Sequence, residues 1–192
     1  MRRATNRRVR IFLWLVLAGA LIGAAYGGVV GRVFRETGLI GGSIRAIDGH
    51  GGEIYQYVGD EMVVTWPVSA GRTDARPLAC FFAIEAAIEA AAGEFEREFG
   101  IVPRLRAALH AGPVIGGEIG DSKREIVFHG DVMNTAARLE QATRDLDRPF
   151  LVLAEAVGRL DGTEPYAREA LGPRALRGRE APVEIYAVTA AR

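Results

Sequence analysis

The sequence predicts an α+β domain: a sheet built from short strands and hairpins, helices packed on one face, and an apolar N-terminal helix in front. Three observations carry that class. Apolar residues alternate in some short runs and recur at helical spacing in others, and the kinds are interleaved along the chain rather than grouped in blocks. Glycine and proline punctuate the joins, at His50-Gly51-Gly52, Gly59-Asp60, Pro67 and Pro77. The 192 residues suffice for one domain with a real core plus a short appendage, and no internal repeat or low-complexity tract is present.

Residues 1–10 form a basic flank with Arg2, Arg3, Arg7, Arg8 and Arg10, and residues 11–31 carry no charge. Roughly 20 such residues cross a bilayer as a helix, so the plain reading is a transmembrane helix over 11–31 that anchors a cytoplasmic domain of residues 32–192. Arginines held on the cytoplasmic side would instead export the remainder. Two readings avoid that conflict: a first helix left over from a longer membrane region, or a first strand from Val9 to Leu17 followed by a helix, in which case the chain is cytoplasmic. Strands buried on both faces also read as unbroken apolar runs, so hydropathy alone leaves the choice open. A cleaved signal peptide shares the same pattern.

From Val30 to Ile47 apolar residues keep helical spacing, and His50-Gly51-Gly52 ends that helix, with His50 capping the turn. Glu53–Val58 and Glu61–Trp66 are rich in β-branched and aromatic residues and read as a hairpin with Asp60 at its tip. Pro77 opens a helix whose apolar face is Phe81, Ile84, Ile88, Ala91 or Ala92, Phe95 and Phe99. Arg104–His110 alternates like a strand, and Gly112, Gly116, Gly117 and Gly120 then mark a turn-rich run before a short strand at Arg124–Phe128. A helix from about Val132 to Thr143 follows, then strands at Phe150–Ala154 and Val183–Val188 separated by a helix and a loop.

Acidic and basic residues balance at 24 each, which removes any whole-molecule field directed at nucleic acid. An RNA-binding sheet is disfavoured further because the strands lack the aromatic pair and basic face such platforms use. All basic residues but Lys123 are arginine, as genomic base composition dictates, and the single Cys80 excludes an internal disulfide. His110 and His129 have no second histidine or cysteine at ligand spacing and read as packed or hydrogen-bonding residues. Trp14 and Trp66 are membrane or core residues.

Four segments in series bear a family likeness: His50-Gly-Gly-Glu-Ile-Tyr-Gln-Tyr-Val-Gly-Asp60, Leu109-His-Ala-Gly-Pro-Val114, Gly120-Asp-Ser-Lys-Arg-Glu-Ile-Val127 and Gly130–Glu140. In that order they resemble the catalytic domain of class III adenylate/guanylate cyclases of bacterial type, over about Val30 to Val188. Leu176–Tyr186 looks like that family's closing hairpin. The resemblance implies a ferredoxin-like βαββαβ core and a cyclase that forms a cyclic nucleotide from a nucleoside triphosphate, cyclic AMP from ATP being favoured over the GTP reaction, for intracellular signalling. It also implies a site assembled across a homodimer or heterodimer.

By that resemblance Asp60 is a metal aspartate for Mg2+ or Mn2+, hard ions suited to carboxylate oxygen. Asn134 and Arg138, four residues apart on one helix face, are the catalytic pair: an amide to orient the ribose and a guanidinium to meet charge on phosphorus. Arg177 or Arg179 stands where relatives place a phosphate contact. Gln56 and Val127 occupy the base-reading positions, where adenylyl cyclases often have lysine and aspartate; glutamine offers a donor and an acceptor and valine neither. Relatives place a second metal aspartate about 44 residues before the first. Counting back from Asp60 reaches Val16, and no acidic residue precedes Glu36. The chain thus reads as truncated or degenerate at its N-terminal end. Its activity is expected to be lowered by orders of magnitude, and the alternative is a catalytically impaired homologue that acts as a regulatory or heterodimer partner.

Overall fold

The computed structural model describes residues 9–20, 39–58, 61–69, 71–119, 125–129, 131–176 and 181–191, with backbone alone for 9–20, 39–40, 115–119 and 125–129. Fifteen elements follow one another: β1 (Val9–Ala20), α1 (Leu39–Gly49), β2 (Glu53–Val58), β3 (Glu61–Pro67), β4 (Thr73–Asp74), α2 (Arg76–Ala90), α3 (Ala92–Phe99), β5 (Arg104–Ile119), β6 (Glu125–His129), α4 (Asp131–Asp145), β7 (Phe150–Leu153), α5 (Ala154–Val157), β8 (Leu160–Asp161), β9 (Tyr166–Arg174) and β10 (Val183–Ala190). The main sheet runs β2-β3-β1-β5-β7-β10-β9, with β6 paired to β5, and β4 and β8 form a small parallel pair beside it. Within it, β1-α1-β2-β3-α2-β5 in the strand order β2-β3-β1-β5 is the expected ferredoxin-like core.

The apolar N-terminal run departs from expectation. Residues 11–20, placed by sequence in a transmembrane helix, belong to β1, which pairs antiparallel with β3 (Val16 opposite Val63) and with β5 (Val16 opposite Ala108). A strand with a partner on each side satisfies its backbone groups without a helix. The sheet therefore takes in residues that sequence assigns to the flank and the membrane span. The remainder of that span, 21–31, lies outside the described residues, and among those described no helix is long and apolar enough to cross a membrane.

Side-chain alternation on the strands builds a core on each face. Odd-numbered residues of β5 (Ala107, Leu109, Ala111) and Phe150 and Val152 of β7 pack with Ile47 of α1 and with Leu78, Phe81 and Ile84 of α2, while Phe95 of α3 closes the same cluster. Phe81 stacks on Phe150 at 4.4 Å between ring centroids, and burial of each such ring contributes about 1.5–3 kcal/mol. Ala108, Val114, Leu151 and Leu153 point the other way, against Val132, Ala136 and Leu139 of α4. Helices on a single face describes α1, α2 and α3; α4 packs on the opposite face.

The joins are made by specific contacts. His50 caps α1 through Nδ1, 2.6 Å from the Ala46 carbonyl, and Trp66 Nε1 donates to the His50 carbonyl at 2.9 Å. The Trp66 ring lies so close to Gly52 that a Cβ there would stand 2.6 Å from it, which is why this turn carries no side chain. The helix expected to run unbroken from Pro77 to Phe99 divides at Ala91 into α2 and α3, and α3 stops at Gly100 in the left-handed conformation (φ 68°). Gly112, Gly116 and Gly117 do not form a turn: β5 continues through them to Ile119, held by β1 on one edge and β6 on the other, while Gly120 lies outside the described residues. β9, antiparallel to β10, had no expected counterpart and completes the closing hairpin.

Candidate functional site

α4 is the element that carries the catalytic pair expected from sequence. Its buried stripe is Val132, Thr135, Ala136, Leu139, Glu140 and Thr143, a spacing of three and four residues that lays one face on the sheet. Asn134 is exposed and Arg138 half-buried beside that stripe, one turn apart. Asp131 in the first turn complements the helix dipole and accepts a hydrogen bond from Thr135 Oγ1 at 3.1 Å. At the other end Arg144 pairs with Glu140 at 3.3 Å, and Arg106 of β5 donates to the Thr143 carbonyl at 2.8 Å.

The start of α4 is fixed by close approach. A Cβ at Gly112 of β5 would lie 2.4 Å from Cγ2 of Val132, so only glycine lets the helix descend this far. Val132 and Ala136 then pack with Val63 and Val114, and half-buried Tyr55 and Met133 close the same cluster. Held at both ends, the helix presents Asn134 and Arg138 without needing rearrangement.

The hairpin before α2 places the second group of residues. β2 and β3 pair from Glu53–Thr65 to Val58–Glu61, with a bulge between Ile54 and Gln56, leaving Gly59 and Asp60 between the last pair as expected. Asp60 itself lies outside the described residues, as do Arg177 and Arg179. Gln56 is exposed on β2 and pairs with Val63, which touches the α4 cluster. Gln56 and the helix that carries Asn134 and Arg138 therefore share one side of the sheet. Val127 is opposite Gly117 in the β5–β6 ladder, and only its backbone is described. His110 is buried, as expected of a packed histidine.

Sequence reasoning passed over two residues beside the hairpin tip. Tyr57 and Val58 are 54% and 48% exposed, an aromatic and a β-branched side chain adjoining each other at the end of β2. Both are paired through the backbone to β3, Tyr57 with Met62 and Val58 with Glu61, so the alternation of β2 alone gave no signal of their exposure.

A pair of divalent ions would require convergent oxygen ligands. Among the described residues no group of three or more His, Cys, Asp or Glu is placed to hold one. The strand nearest the hairpin, β1, offers Trp14, Leu15, Val16, Leu17, Ala18, Gly19 and Ala20, with Ala18 opposite Glu61 and Val16 opposite Val63. None of these seven side chains carries an oxygen, so β1 does not fit a two-ion seat.

Residues 45–190 match the family described as the adenylate and guanylate cyclase catalytic domain. The chain is 38% identical over 182 residues to Adenylate cyclase 2 of Rhizobium meliloti (strain 1021), covering 94% of this chain and 50% of that protein. It thus spans about half the length of that relative. Among solved structures, the adenylyl cyclase CyaB from P. aeruginosa superposes with a TM-score of 0.76 at 16% identity, covering 97% of each chain. The guanylyl cyclase Cya2 gives 0.77 at 18% identity, covering 97% of this chain and 95% of that one. At such identities the likeness is one of fold.

Proposed function

Because the chain belongs to the adenylate and guanylate cyclase catalytic domain family, we propose that it serves intracellular signalling by closing a purine nucleoside triphosphate, ATP in preference to GTP, into a cyclic monophosphate. In this reaction the ribose 3′-oxygen bonds to the α-phosphorus, the bond from that phosphorus to the bridging oxygen of the β-phosphate breaks, pyrophosphate leaves, and the hydroxyl proton passes to solvent. The single observation that supports the reading is α4. It is clamped at Gly112 and at Arg106, with Asn134 exposed and Arg138 one turn behind it.

An amide at Asn134 holds a sugar oxygen, and the planar guanidinium of Arg138 meets two oxygens of the phosphorus centre as charge develops there. Gln56 is in reach of a base only on the same sheet side, and its donor and acceptor accommodate either purine. Preference for ATP rests on the relative named as an adenylate cyclase. The working unit in this reading is a dimer, with exposed Tyr57 and Val58 against the second chain and a divalent cation, magnesium or manganese, as cofactor. The composition of β1 favours a second reading inside the same family, an impaired homologue that acts as a regulatory or heterodimer partner.

The test is cyclic nucleotide formation from ATP and GTP with manganese or magnesium, alongside calorimetric binding of each nucleotide. Expected is slow cyclic AMP formation that falls by a further ~10²–10³ in Arg138→Ala, with a comparable loss in exposed Asn134→Ala. Failure to bind either nucleotide, together with no cyclic product, refutes the proposal.

A further inference from the structure

Away from Asn134 and Arg138, a cavity of about 420 Å³ lies where the C-terminal half of α2 meets the start of β5 and the loop after α4. That volume falls within the range of small-molecule sites, about 300–1,000 Å³. Much of its lining is apolar: Ile88 and Pro103 are buried, Leu105 is half-buried, and Val102 stays 41% exposed. Its charged groups divide by side. Leu105 packs into the cluster that α2 covers, so its neighbours Arg104 and Arg106, which border the cavity, turn to the opposite face of β5. There Arg106 donates to the Thr143 carbonyl at 2.8 Å. The α2 wall is left with Glu85 and Glu89, one helical turn apart. The described ion pairs join Arg72 to Asp161, Arg76 to Asp74, Arg144 to Glu140 and Arg148 to Glu169, and none of them reaches either glutamate. Burial, and then the charge of Glu89, raises the Glu85 carboxyl, so the pair is kept in the cleft against its own repulsion, a cost typical of binding sites. Asp147, in the loop after α4, adds a third carboxylate to the lining.

We infer that this cavity binds a small organic cation with an apolar body, its ammonium group between Glu85 and Glu89 and its carbon chain along Ile88, Val102 and Leu105. A primary ammonium carries three donors, enough to bond both carboxylates, whose Cβ atoms stand about 5–6 Å apart at this spacing. A divalent metal ion is the poorer occupant, because it wants about six oxygen ligands and among the described residues no three His, Cys, Asp or Glu side chains converge. An anion would meet the two glutamates and find Arg106 already engaged by Thr143. The site is separate from the groups of α4 that face the nucleotide. From Asn134 to Asp145 the helix rises about 16 Å, and the cavity lies beyond its far end at Asp147. Occupancy of the cavity is independent of the nucleotide chemistry proposed above.

The test uses the full chain and hexylamine, protonated at neutral pH, as probe in titration calorimetry at about 150 mM salt, where exposed charges are screened. An amine of this size is expected to occupy one site with a Kd of about 0.1–1 mM. Hexanoate and 1-hexanol share the carbon chain without the ammonium and should bind at least about tenfold more weakly. The double variant E85Q/E89Q keeps the shape of the wall and removes its charge, and should weaken hexylamine about tenfold or more. E94Q/E98Q removes an exposed acidic pair of the same spacing on α3, outside the cavity, and should leave the affinity unchanged. Absence of hexylamine binding to the wild-type chain overturns the inference, as does binding of 1-hexanol or hexanoate with equal affinity; this comparison decides even if E85Q/E89Q fails to fold. Equal losses in the two double variants also overturn it, since the amine would then be answering general surface charge.

Discussion

The seat of α4 on β5 makes Gly112→Ala the most informative single change. The added Cβ would lie 2.4 Å from Cγ2 of Val132, against an optimum carbon–carbon separation of about 3.5–4.0 Å, so the helix must lift by about 1–1.5 Å or the valine must turn. Turning is resisted, because a valine in a helix has one strongly preferred χ1 and Val132 is 5% exposed among Val63, Val114 and Ala136. Overpacking of this kind costs about 1–3 kcal/mol. For a domain of this size each kcal/mol lowers Tm by roughly 2–4 °C, so the expected fall is roughly 2–12 °C by circular dichroism. Cyclic nucleotide formation should fall further than stability does, because a shift of about 1 Å in Asn134 and Arg138 is worth ~10²-fold. Val132→Ala in the G112A background removes the clashing methyl and should restore part of both, with a coupling of about 1 kcal/mol or more in the double-mutant cycle. An unchanged Tm in G112A, or no rescue by V132A, would refute the close approach.

Burial, and then the charge of neighbouring Glu89, raises the carboxyl pKa of half-buried Glu85. A raised folded pKa makes the ionised form a liability above the unfolded carboxyl value of about 4.3 and neutral below it, so Glu85→Gln should raise Tm at about pH 8 and lose that advantage as the pH falls toward about 4. Burial pushes the Cys80 thiol up to about 12, leaving a thiolate fraction of ~10⁻⁴ at about pH 8; an aromatic disulfide reagent should label it only upon unfolding, and prompt labelling of native protein would contradict its burial. Trp66→Phe deletes the 2.9 Å bond to the His50 carbonyl and should lower stability by about 1–3 kcal/mol in urea titration, with an unchanged midpoint showing the bond to be dispensable.

Helix α4 and the hairpin were legible because each is a local pattern. Val132, Thr135, Ala136, Leu139 and Thr143 recur at helical spacing, and that spacing also sets Asn134 and Arg138 on one flank. Glycine at position 59 between two β-branched runs marks a two-residue turn, and the ladder closes at Val58–Glu61. His50 was legible as a cap because two successive glycines disfavour continuation of the helix, and Gly51 takes up a positive φ of 66° directly after it. The exposure of Tyr57 and Val58 was not legible, since the same alternation describes a strand covered on both sides and one left open at its edge.

Spacing along the chain was enough to establish an α+β domain, its hairpin and the helix with the amide and the guanidinium, because periods of two and 3.6 are written in neighbouring residues. It could not tell a membrane helix from a central strand in residues 11–20, since a strand covered on both faces loses its alternation and becomes an apolar run like any other. Partners resolved that choice: β3 and β5, distant in sequence, take up the backbone groups of β1 on either edge. Partners likewise carried β5 through its glycines and sent α4 to the face opposite α1 and α2. Each of these outcomes depends on contacts between residues far apart in the chain, which no local window contains.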